Sequence, residues 1–570
     1  MAEEVWMLQT KKADFKQIGA RFRIDPVTAR IIRNRGIEGE AAIDRYLNGT
    51  LDDLYDPMLL KDMERAVSIL CEAVDTGKKI RIVGDYDIDG VCSTYILLQA
   101  FERLGSDVDF EIPDRIKDGY GINESIIEQA HADGVEVILT CDNGISAFHQ
   151  VELAKKYGMT VVITDHHEVP LDGEKEKIPP ADAVIDPKQA DCPYPFPEIC
   201  GAGVAYKLVQ VLYARRGVPQ MEWLDLLEFA AIATVGDVMK LQDENRILVK
   251  YGLKKMAQTK NLGLRRLAEK NNLDLGAITA YHIGFVIGPC LNAGGRLKTA
   301  KEALALLRAQ SEEEAERLAE ELKELNDTRK DMTEQGTEAA KLQVESWYQK
   351  DKVLVVFLPE CHESLAGIIA GRLREYYQKP AIVLTRGEEA VKGSGRSIDE
   401  YHMFKKLTEV SDLLLKFGGH PLAAGLSLEE KNIDEFRRRL NENAGLTEED
   451  FKAKVWIDVP MPVGYVTERL VRELSCLEPF GQGNEKPLFA EKSLRIRASR
   501  VLGRNRNVVK MTLEETDGHA IEALYFGDGT AFEEERAGRR EIDVVYYPDI
   551  NEYNGRKTLQ AVIRRYKFRG

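Results

Sequence analysis

Four aspartate-bearing turns, each closing an apolar run, set the strongest limit on how this chain can fold. They are GDYDIDG (84–90), CDNGIS (141–146), TDHH (164–167) and VGDV (235–238). The first three follow strand-like stretches, and the fourth ends the apolar segment FAAIATV. In an open parallel sheet, the carboxyl ends of neighbouring strands converge on one crevice. The pattern therefore predicts a parallel α/β sheet with these turns at one edge.

The side chains that would meet at this edge are Asp85, Asp87, Asp142, Asp165, His166 and Asp237. A cluster of carboxylates repels itself unless divalent cations neutralise it, and oxygen ligands with one imidazole suit Mn²⁺ or Mg²⁺ better than zinc. A single aspartate after a strand is usually a helix cap or an Asx-turn residue. The conjunction of four such turns favours a two-metal hydrolase site, with Asp89 as a turn residue or a residue behind the ligands.

Length and pattern predict five segments. A chain of 570 residues is too long for one core. Strand and helix patterns alternate from about 60 to 240 and again from 353 to about 445, with a Glu-, Ala-, Leu- and Lys-rich helical stretch between them. We interpret that stretch as a solvated spacer rather than a coiled coil. The five are an N-terminal segment 1–55 without recognisable chemistry, a parallel-sheet domain 56–299, a connecting helix 300–348, a second α/β domain 349–447 and a β-barrel 452–570.

The composition excludes several classes of protein. The net charge of −16 argues against a protein that coats nucleic acid, although an acidic enzyme can act on nucleic acid in a metal-lined cleft. No apolar run approaches the roughly 18 residues of a membrane span, and the N-terminus has no signal-peptide layout. Eight cysteines without a Cys-x-x-Cys pair argue against a disulfide framework or a zinc ribbon. We expect a cytoplasmic protein with no membrane partner.

Two segments of the first α/β domain offer candidates for substrate binding. IGPCLNAGGRL carries Asn292 and Arg296, which can reach one phosphodiester together or serve as a helix cap and a surface ion pair. IPDRIKDGYG carries Arg115 and Tyr120, which offer a charge and a stacking face for a base. An ordinary surface role for these two residues is equally open.

Small residues surround a third group of candidates. The segments KGSGRS (392–397) and GGHPLAAG (418–425), predicted as loops, let a backbone approach a ligand closely. A lone histidine is more often structural, but Gly-Gly-His-Pro among small residues favours binding. The side chains that can bind phosphate oxygens there are Ser394, Arg396, Ser397 and His420.

The ordered motifs together resemble the DHH phosphoesterase superfamily and, within it, the bacterial RecJ single-strand-specific exonucleases. The resemblance rests on GDYDIDG, CDNGIS, TDHH, VGDV, GPCLNAGGR, GSGRS, GGHPLAAG and LEPFGQGN, and covers nearly the whole length. It implies a DHH catalytic domain, a connecting helix, a DHH-associated domain and a C-terminal OB-fold β-barrel. The chain departs from the usual pattern at Ile88 in place of Ala, Cys290 in place of Arg and Gly295 in place of Ala, and its helix motif reads HESLAGIIAGR (362–372) where HEGVIGIVAGR is typical. These departures lie outside the ligand set, so activity is expected to survive.

The resemblance also implies a role for each candidate residue. The metal ligands would be Asp85, Asp87, Asp142, His166 and Asp237. Asp165 would complete or orient the metal site, and His167 would face the scissile phosphate. Phosphates near the metals would be held by Arg115, Asn292 and Arg296, and the 5′-terminal phosphate by Ser394, Arg396 and His420. The implied activity is processive 5′→3′ degradation of single-stranded DNA to 5′-mononucleotides with two Mn²⁺ or Mg²⁺ ions, in DNA repair and recombination.

Three other functions stay open at this stage. A DHH-type phosphodiesterase of short oligoribonucleotides or cyclic dinucleotides would keep the metal site and need no barrel. A non-catalytic single-strand-binding scaffold would lack metal ligands, and here every ligand is present. A nuclease of RNA as well as DNA is open, because no motif visibly tests the 2′-hydroxyl. A single-strand-binding protein and a helicase are the protein partners to consider.

Overall fold

The computed structural model describes residues 4–553 and 555–569, which form two compact units. The first unit comprises residues 55–239 and 248–453, and the second comprises residues 5–54, 240–247 and those from 454 onwards. Each unit has its own sheets and its own hydrophobic core. Among the described residues, no helix combines the length and the apolarity that crossing a membrane requires.

The first sheet of the first unit is parallel throughout, as the sequence predicts. Its central strands are almost entirely buried, in keeping with their mostly apolar sequences IRIV, VILTC and TVVIT. Because all strands point the same way, their carboxyl ends lie at one edge. In spatial order the strands are Val108–Glu111, Ile80–Val83, Val137–Cys141, Thr160–Thr164 and Ala183–Ile185.

One helix of this domain is buried along almost its whole length. It is Ile88–Arg103, which packs against the helices Gly201–Arg216 and Leu227–Gly236. Its apolar sequence on all sides is what such a central helix requires. The remaining elements around the sheet are the helices Met63–Asp75, Glu124–Ala132, Phe148–Lys156 and Gln220–Leu224 and the short strands Leu171–Asp172 and Lys175–Glu176.

The predicted connecting helix 300–348 is interrupted. Its first section, Lys301–Arg308, ends at Ala309, whose ψ of 130° lies outside the helical range. Ser311 then begins Glu312–Gln343 by accepting a hydrogen bond from the backbone N–H of Glu314 at 3.2 Å, which is a helix cap. The other elements of this helical region are Asp243–Met256, Leu262–Lys270, Ala280–His282, the π-helical turn Ile283–Ile287, Gly288–Leu297 and the π-helical turn Val344–Tyr348.

The second sheet corrects one prediction. In spatial order its strands are Leu414–Gly419, Ala423–Leu428, Val391–Arg396, Ala381–Arg386 and Leu354–Phe357. The segments 392–397 and 418–425, predicted as loops, therefore lie mostly in antiparallel strands. Glycine serves packing here rather than a turn, since a Cβ on Gly393 would lie 2.6 Å from Leu384. The helices that accompany this sheet are Ala366–Tyr377, Met403–Thr408 and Ile433–Glu442.

The second unit is built around a closed ring of strands. The strand Phe489–Leu502 pairs with Val508–Glu514 on one side and with Glu541–Tyr553 on the other. Ala520–Phe526 and Arg556–Arg569 complete the ring. The ring is the small all-β domain that the short strand-like runs predict. Its accompanying elements are the strand Val459–Pro460 and the helices Glu468–Leu474 and Gly529–Arg536.

The N-terminal helices share the core of this ring. Their buried residues Ile31, Ile32, Ile43 and Tyr46 belong to the same apolar cluster as Phe489 in the ring. The helices are Phe15–Phe22, Pro26–Asn34 and Glu40–Asn48, and they follow the strand Glu4–Leu8, which pairs with Ala453–Ile457. The segment without recognisable chemistry thus has a structural role in the second unit.

Buried polar contacts fix these helices in place. Arg35 pairs with the buried Asp458 at 2.7 Å. The guanidinium of Arg246, almost inaccessible to solvent, donates hydrogen bonds to the backbone carbonyls of Tyr46, Leu477 and Cys476 at 2.7 to 3.1 Å. A buried charge whose donors are all satisfied specifies one arrangement of its neighbours, because any other would leave it unpaired.

We expect the second unit to lose stability as pH rises, through Glu491. Burial and the neighbouring Glu515 raise the pKa of Glu491 to about 7 from its usual value near 4.5. The folded state therefore binds an extra proton between these two values, so stability falls as pH rises from about 4.5 through 7. Glu491→Gln should raise the Tm by about 2–4 °C at pH 8 and change it little at pH 5, measured by calorimetry.

The matched control is Glu534→Gln, which changes an exposed glutamate of the helix Gly529–Arg536. It should leave the Tm unchanged at both pH values. Equal shifts for Glu491→Gln at pH 5 and pH 8 would contradict this account.

Candidate active site

The turn after the strand Ile80–Val83 places two carboxylates at the carboxyl edge of the first sheet. Asp87 caps the helix Ile88–Arg103, with Oδ1 accepting hydrogen bonds from the backbone N–H groups of Asp89 (2.9 Å) and Gly90 (3.1 Å). This cap uses only one oxygen of Asp87, so the other can bind a cation. Asp85 is buried beside it.

Asp142 follows the next strand in an unusual backbone conformation. Its φ of 61° lies in the left-handed region, which aspartate tolerates better than most residues. Oδ1 of Asp142 lies 3.0 Å from Nε2 of His166. The first residue of the helix Gly201–Arg216 comes so close that a Cβ on Gly201 would lie 2.6 Å from the Asp142 Cβ. The site is thus closely packed from behind.

Asp165 is occupied in orienting its neighbours. Oδ1 accepts hydrogen bonds from the backbone N–H of His166 and lies within 2.7 Å of Nδ1 of His167, while Oδ2 accepts one from the backbone N–H of Ile145 at 2.9 Å. Although burial acts against it, the contact with His167 lowers the pKa of Asp165. At His167 the effects are reversed: burial lowers the pKa of the ring, but the contact with Asp165 outweighs burial and raises this pKa to about 9. The contact with Asp165 therefore favours the protonated form of His167.

Two further carboxylates complete the cluster. Asp237 ends the helix Leu227–Gly236, with Oδ2 at 3.8 Å from Nε2 of His166. Asp89, expected to be a turn residue or to lie behind the ligands, is fully buried and accepts hydrogen bonds from the backbone N–H groups of Gly201 (2.6 Å) and Ala202 (2.7 Å). Asp89 therefore caps the helix Gly201–Arg216. It also belongs to the cluster, because its Oδ2 lies 3.4 Å from Nε2 of His166.

The donor set fits a pair of divalent cations. Three groups have ligand atoms all within 4.8 Å of one another: Asp85, Asp87 and Asp142; Asp142, His166 and His167; and Asp89, His166 and Asp237. Burial and neighbouring carboxylates raise the pKa of Asp85 and of Asp237 to about 8, and that of Asp142 rises for the same reasons. Cations would remove this repulsion, and carboxylate-rich ligation suits Mn²⁺ or Mg²⁺.

Sequence reasoning missed an asparagine that shapes the site. The amide of Asn143 is fully buried and donates to the carbonyls of Val83 and Cys141 at 3.0 Å, while its Oδ1 accepts from the N–H of Ile122 at 3.2 Å. It thereby ties two strand ends to the loop that holds Tyr120. Asn143 lies in the motif CDNGIS, but its hydrogen-bond partners are known only once the sheet is assembled.

Arginines gather beside the carboxylates. The ring of Tyr86 lies 4.6 Å from the guanidinium of Arg115, and Nη1 of Arg296 donates to the carbonyl of Ser364 at 2.9 Å. Burial and the charges of Arg115 and Arg329 lower the pKa of Arg296 to about 10. Arg115 and Arg296 line one small cavity of about 50 Å³. No ion pair with a carboxylate engages these three arginines within the described part of the chain, which leaves them for an anion.

The predicted phosphate contact Asn292 and the arginine Arg329, which the sequence does not single out, have different surroundings. Asn292 makes no side-chain hydrogen bond to any described residue, so its amide is available to a ligand. Arg329 was missed because it lies in the long helix Glu312–Gln343 without a motif around it; its Nε donates to Oδ1 of Asn326 at 3.1 Å.

The second sheet presents a further group of candidates on strand Val391–Arg396. Nη1 of Arg396 donates to Oγ of Ser394 (3.1 Å) and to the carbonyl of Gly395 (2.8 Å), which fixes the guanidinium. Ser397 is different: it is buried and its hydroxyl donates to the carbonyl of Tyr401 at 2.5 Å. Ser397, predicted to bind substrate, is therefore engaged in the fold and unavailable.

Tyr120 and His420 line one cavity of about 310 Å³ together with His167. The Tyr120 hydroxyl donates to the carbonyl of Asp142 at 2.9 Å and lies 3.0 Å from Nδ1 of His167. His420 is exposed, in the turn between the two strands of the second sheet. The cavity thus joins the carboxylate cluster to the predicted end-binding residue.

Comparison with known proteins adds three family matches. The DHH family, N-terminal domain, matches residues 79–234, the DHHA1 domain matches 350–445 and the RecJ OB domain matches 457–565.

The single-stranded-DNA-specific exonuclease RecJ of Bacillus subtilis is 36% identical over 564 residues, covering 98% of this chain and 70% of that protein. The Escherichia coli protein of the same name is 34% identical over 563 residues, covering 95% of each. The crystal structure of RecJ in complex with Mn²⁺ from Thermus thermophilus superposes with a TM-score of 0.84 at 28% identity, covering 99% of this chain and 79% of that one.

We expect Mn²⁺ to stabilise the wild-type protein and Asp142→Asn to lose this effect. Without metal, the variant should melt at a higher temperature than the wild type, because one of the mutually repelling carboxylates is gone. With Mn²⁺ at 100 times its Kd, the wild type should gain about 2.7 kcal/mol and the variant little. Asparagine suits the left-handed backbone of residue 142. Calorimetry with and without Mn²⁺ measures both effects.

The control is Asp186→Asn. Asp186 is a buried carboxylate whose pKa burial raises to about 7, but it belongs to none of the three ligand groups. This variant should keep the full Mn²⁺ stabilisation. A loss of the same size in both variants would rule out Asp142 as a specific ligand.

Proposed function

This chain belongs to the RecJ family of single-stranded-DNA-specific exonucleases, and from that premise we propose how it acts: it hydrolyses single-stranded DNA from the 5′ end to 5′-mononucleotides. The enzyme uses Mn²⁺ or Mg²⁺. The observation that carries the proposal is the set of three overlapping groups of carboxylates and histidines at the edge of the first sheet, each with its ligand atoms within 4.8 Å of one another. We propose Asp85, Asp87, Asp142, His166 and Asp237 as the ligands of two cations.

The chemistry divides between the metals and this chain's own side chains. The cations, when bound, lower the pKa of a water and stabilise charge on the phosphoryl oxygens. Oδ1 of Asp165 lies 2.7 Å from Nδ1 of His167 and orients the ring, which we propose faces the scissile phosphate. Arg296 and Arg115, which line one small cavity, add positive charge that balances the negative charge of the transition state.

We propose that residues of the second sheet set the 5′→3′ direction of degradation. Ser394, Arg396 and His420 bind the 5′-terminal phosphate, and the guanidinium of Arg396 is already held by two hydrogen bonds. A pre-oriented guanidinium loses little entropy when it binds a phosphate. Because a terminal phosphate exists only at a strand end, this contact selects exonucleolytic over internal cleavage.

Partners follow from the substrate. The protein binds single-stranded DNA, and the closed ring that matches the RecJ OB domain is the natural holder of the strand. An enzyme restricted to single strands needs a duplex to be opened first, so we propose a helicase and a single-strand-binding protein as partners in DNA repair and recombination, in the cytoplasm. Neither the phosphodiesterase of short substrates nor the scaffold is retained, because the relatives are named single-stranded-DNA-specific exonucleases and this chain also matches the RecJ OB domain.

The proposal is tested on DNA of about 40 nucleotides labelled at the 5′ or the 3′ end, with Mn²⁺ and a duplex control. We expect immediate release of 5′-labelled mononucleotide from the single strand and none from the duplex. Release of the 3′ label first would reverse the direction that we assign to the second sheet. Cleavage restricted to di- to pentanucleotides would overturn the assignment of long strands as substrate.

We expect Asp142→Asn and His420→Ala to fail in different ways. Asp142→Asn should lower kcat by about three orders of magnitude or more, because a metal ligand acts in the transition state. His420→Ala should chiefly raise KM for 5′-phosphorylated strands. On strands with a 5′-hydroxyl, the wild type and His420→Ala should have similar KM values. Equal and mild losses in both variants would remove this division of roles.

A further inference from the structure

Two aromatic rings stand exposed on the first unit, where the mechanism above does not use them. Tyr281 and Phe285 are 64% and 67% exposed. Their ring centroids lie 4.7 Å apart with an angle of 26° between the planes, so the rings are stacked. They are separated by one helical turn and lie on the same face. Contiguous apolar surface of this kind can serve as a binding site.

The local helix holds this pair outward. The residues Ile283–Ile287 form a π-helical turn between Ala280–His282 and Gly288–Leu297, and such turns occur frequently at functional sites. Within the turn Ile283 and Ile287 are buried. The inner face is therefore fixed in the core, and the aromatic face is left to solvent.

The segment that carries the pair packs against residues beside the carboxylate cluster. Gly284 faces the helix that ends at Asp237, since a Cβ on Gly284 would lie 3.6 Å from Cγ1 of Val235. Ile88, which follows Asp87, packs between Gly236 and Gly288. The segment that carries the rings therefore rests on the residues that position two of the proposed metal ligands.

The same stretch of helix continues to the proposed phosphate contacts. Arg296 lies eleven residues beyond Phe285 on a continuous helical path. At 1.5 Å per residue this is roughly 16 Å. A strand with the base-to-base rise of about 3.4 Å covers that length in about five nucleotides, and a stretched strand in fewer.

We propose that Tyr281 and Phe285 form a stacking platform for bases of the single strand, within about five nucleotides of the scissile phosphate. This inference rests on the proposed function and adds a site to it. Every base has a π-face, so stacking on the outer faces of the two rings suits an enzyme that reads no sequence. It also favours single strands, because the bases of a duplex are already stacked on each other.

The test is a comparison of normal and abasic strands. The affinity of the Tyr281→Ala/Phe285→Ala variant is measured by fluorescence anisotropy on a strand whose first linkages are phosphorothioates, so that it is not degraded. We expect the variant to bind at least about tenfold more weakly than the wild type. Abasic sites at the first five positions should weaken wild-type binding to a similar extent and weaken the variant much less.

Two further variants make the result specific. Tyr281→Phe/Phe285→Tyr keeps both rings and should bind like the wild type. Trp347→Ala removes another exposed aromatic side chain, 70% exposed in the turn Val344–Tyr348, and should also bind like the wild type. A Tm equal to that of the wild type shows that each variant is folded.

The outcomes separate this inference from the proposed function. If the wild type neither binds nor degrades single strands, the proposed function fails. If the wild type binds and the alanine variant binds equally well, the platform is overturned and the pair is left for a protein partner. An equal loss for the variant on normal and abasic strands would also overturn it, because the rings would then act on something other than bases.

Discussion

Mutual repulsion among buried carboxylates at one sheet edge is the constraint on which the rest of this structure depends. The pKa values of Asp85, Asp142 and Asp237 are all raised, first by burial and then by neighbouring carboxylates, chiefly those of Asp87 and Asp89. A chain that places such groups together needs a rigid frame, and here backbone N–H groups at two helix N-termini supply it through Asp87 and Asp89. The frame pre-forms a site whose energy improves when cations enter.

The first sheet and its edge could be predicted from the sequence, because both depend on residues that are close together in the chain. An apolar run and the aspartate that follows it are neighbours in the chain, and parallel strands bring such neighbours together in space. Contacts between distant residues could not be predicted in this way, such as the hydrogen bond of Asp89 with Gly201, which lies 112 residues later. Most of the segments 392–397 and 418–425 lies in strands rather than in the predicted loops, because glycine and serine favour turns locally but here allow close packing. The prediction of one helix over 300–348 overlooks the capping residue Ser311, where a new helix begins.

Two of the positions that depart from the family pattern, Ile88 and Cys290, have structural explanations. Ile88 fills the space between two glycines, Gly236 and Gly288. Cys290 is buried and accepts a hydrogen bond from Nδ2 of Asn326 at 3.3 Å, and the other end of that amide accepts one from Arg329. A guanidinium thus lies close to the position where the usual pattern has arginine, although a different helix provides it. The ligand positions themselves are unchanged, which agrees with the expectation that activity survives.

The discontinuity of the second unit has a consequence for how the protein is made. Its N-terminal helices share a core with the ring, and Asp25 bonds to Glu473, 448 residues later. At about 5–20 residues per second, a ribosome needs roughly 20–90 s to span that interval. During synthesis the apolar faces around Ile31 and Ile43 must wait for their partners, while the residues of the first unit emerge in between. The first unit, which carries the carboxylate cluster, can therefore be synthesised before the second unit is complete. The N-terminal helices lack their partners during this interval, and a nascent-chain chaperone would be needed there.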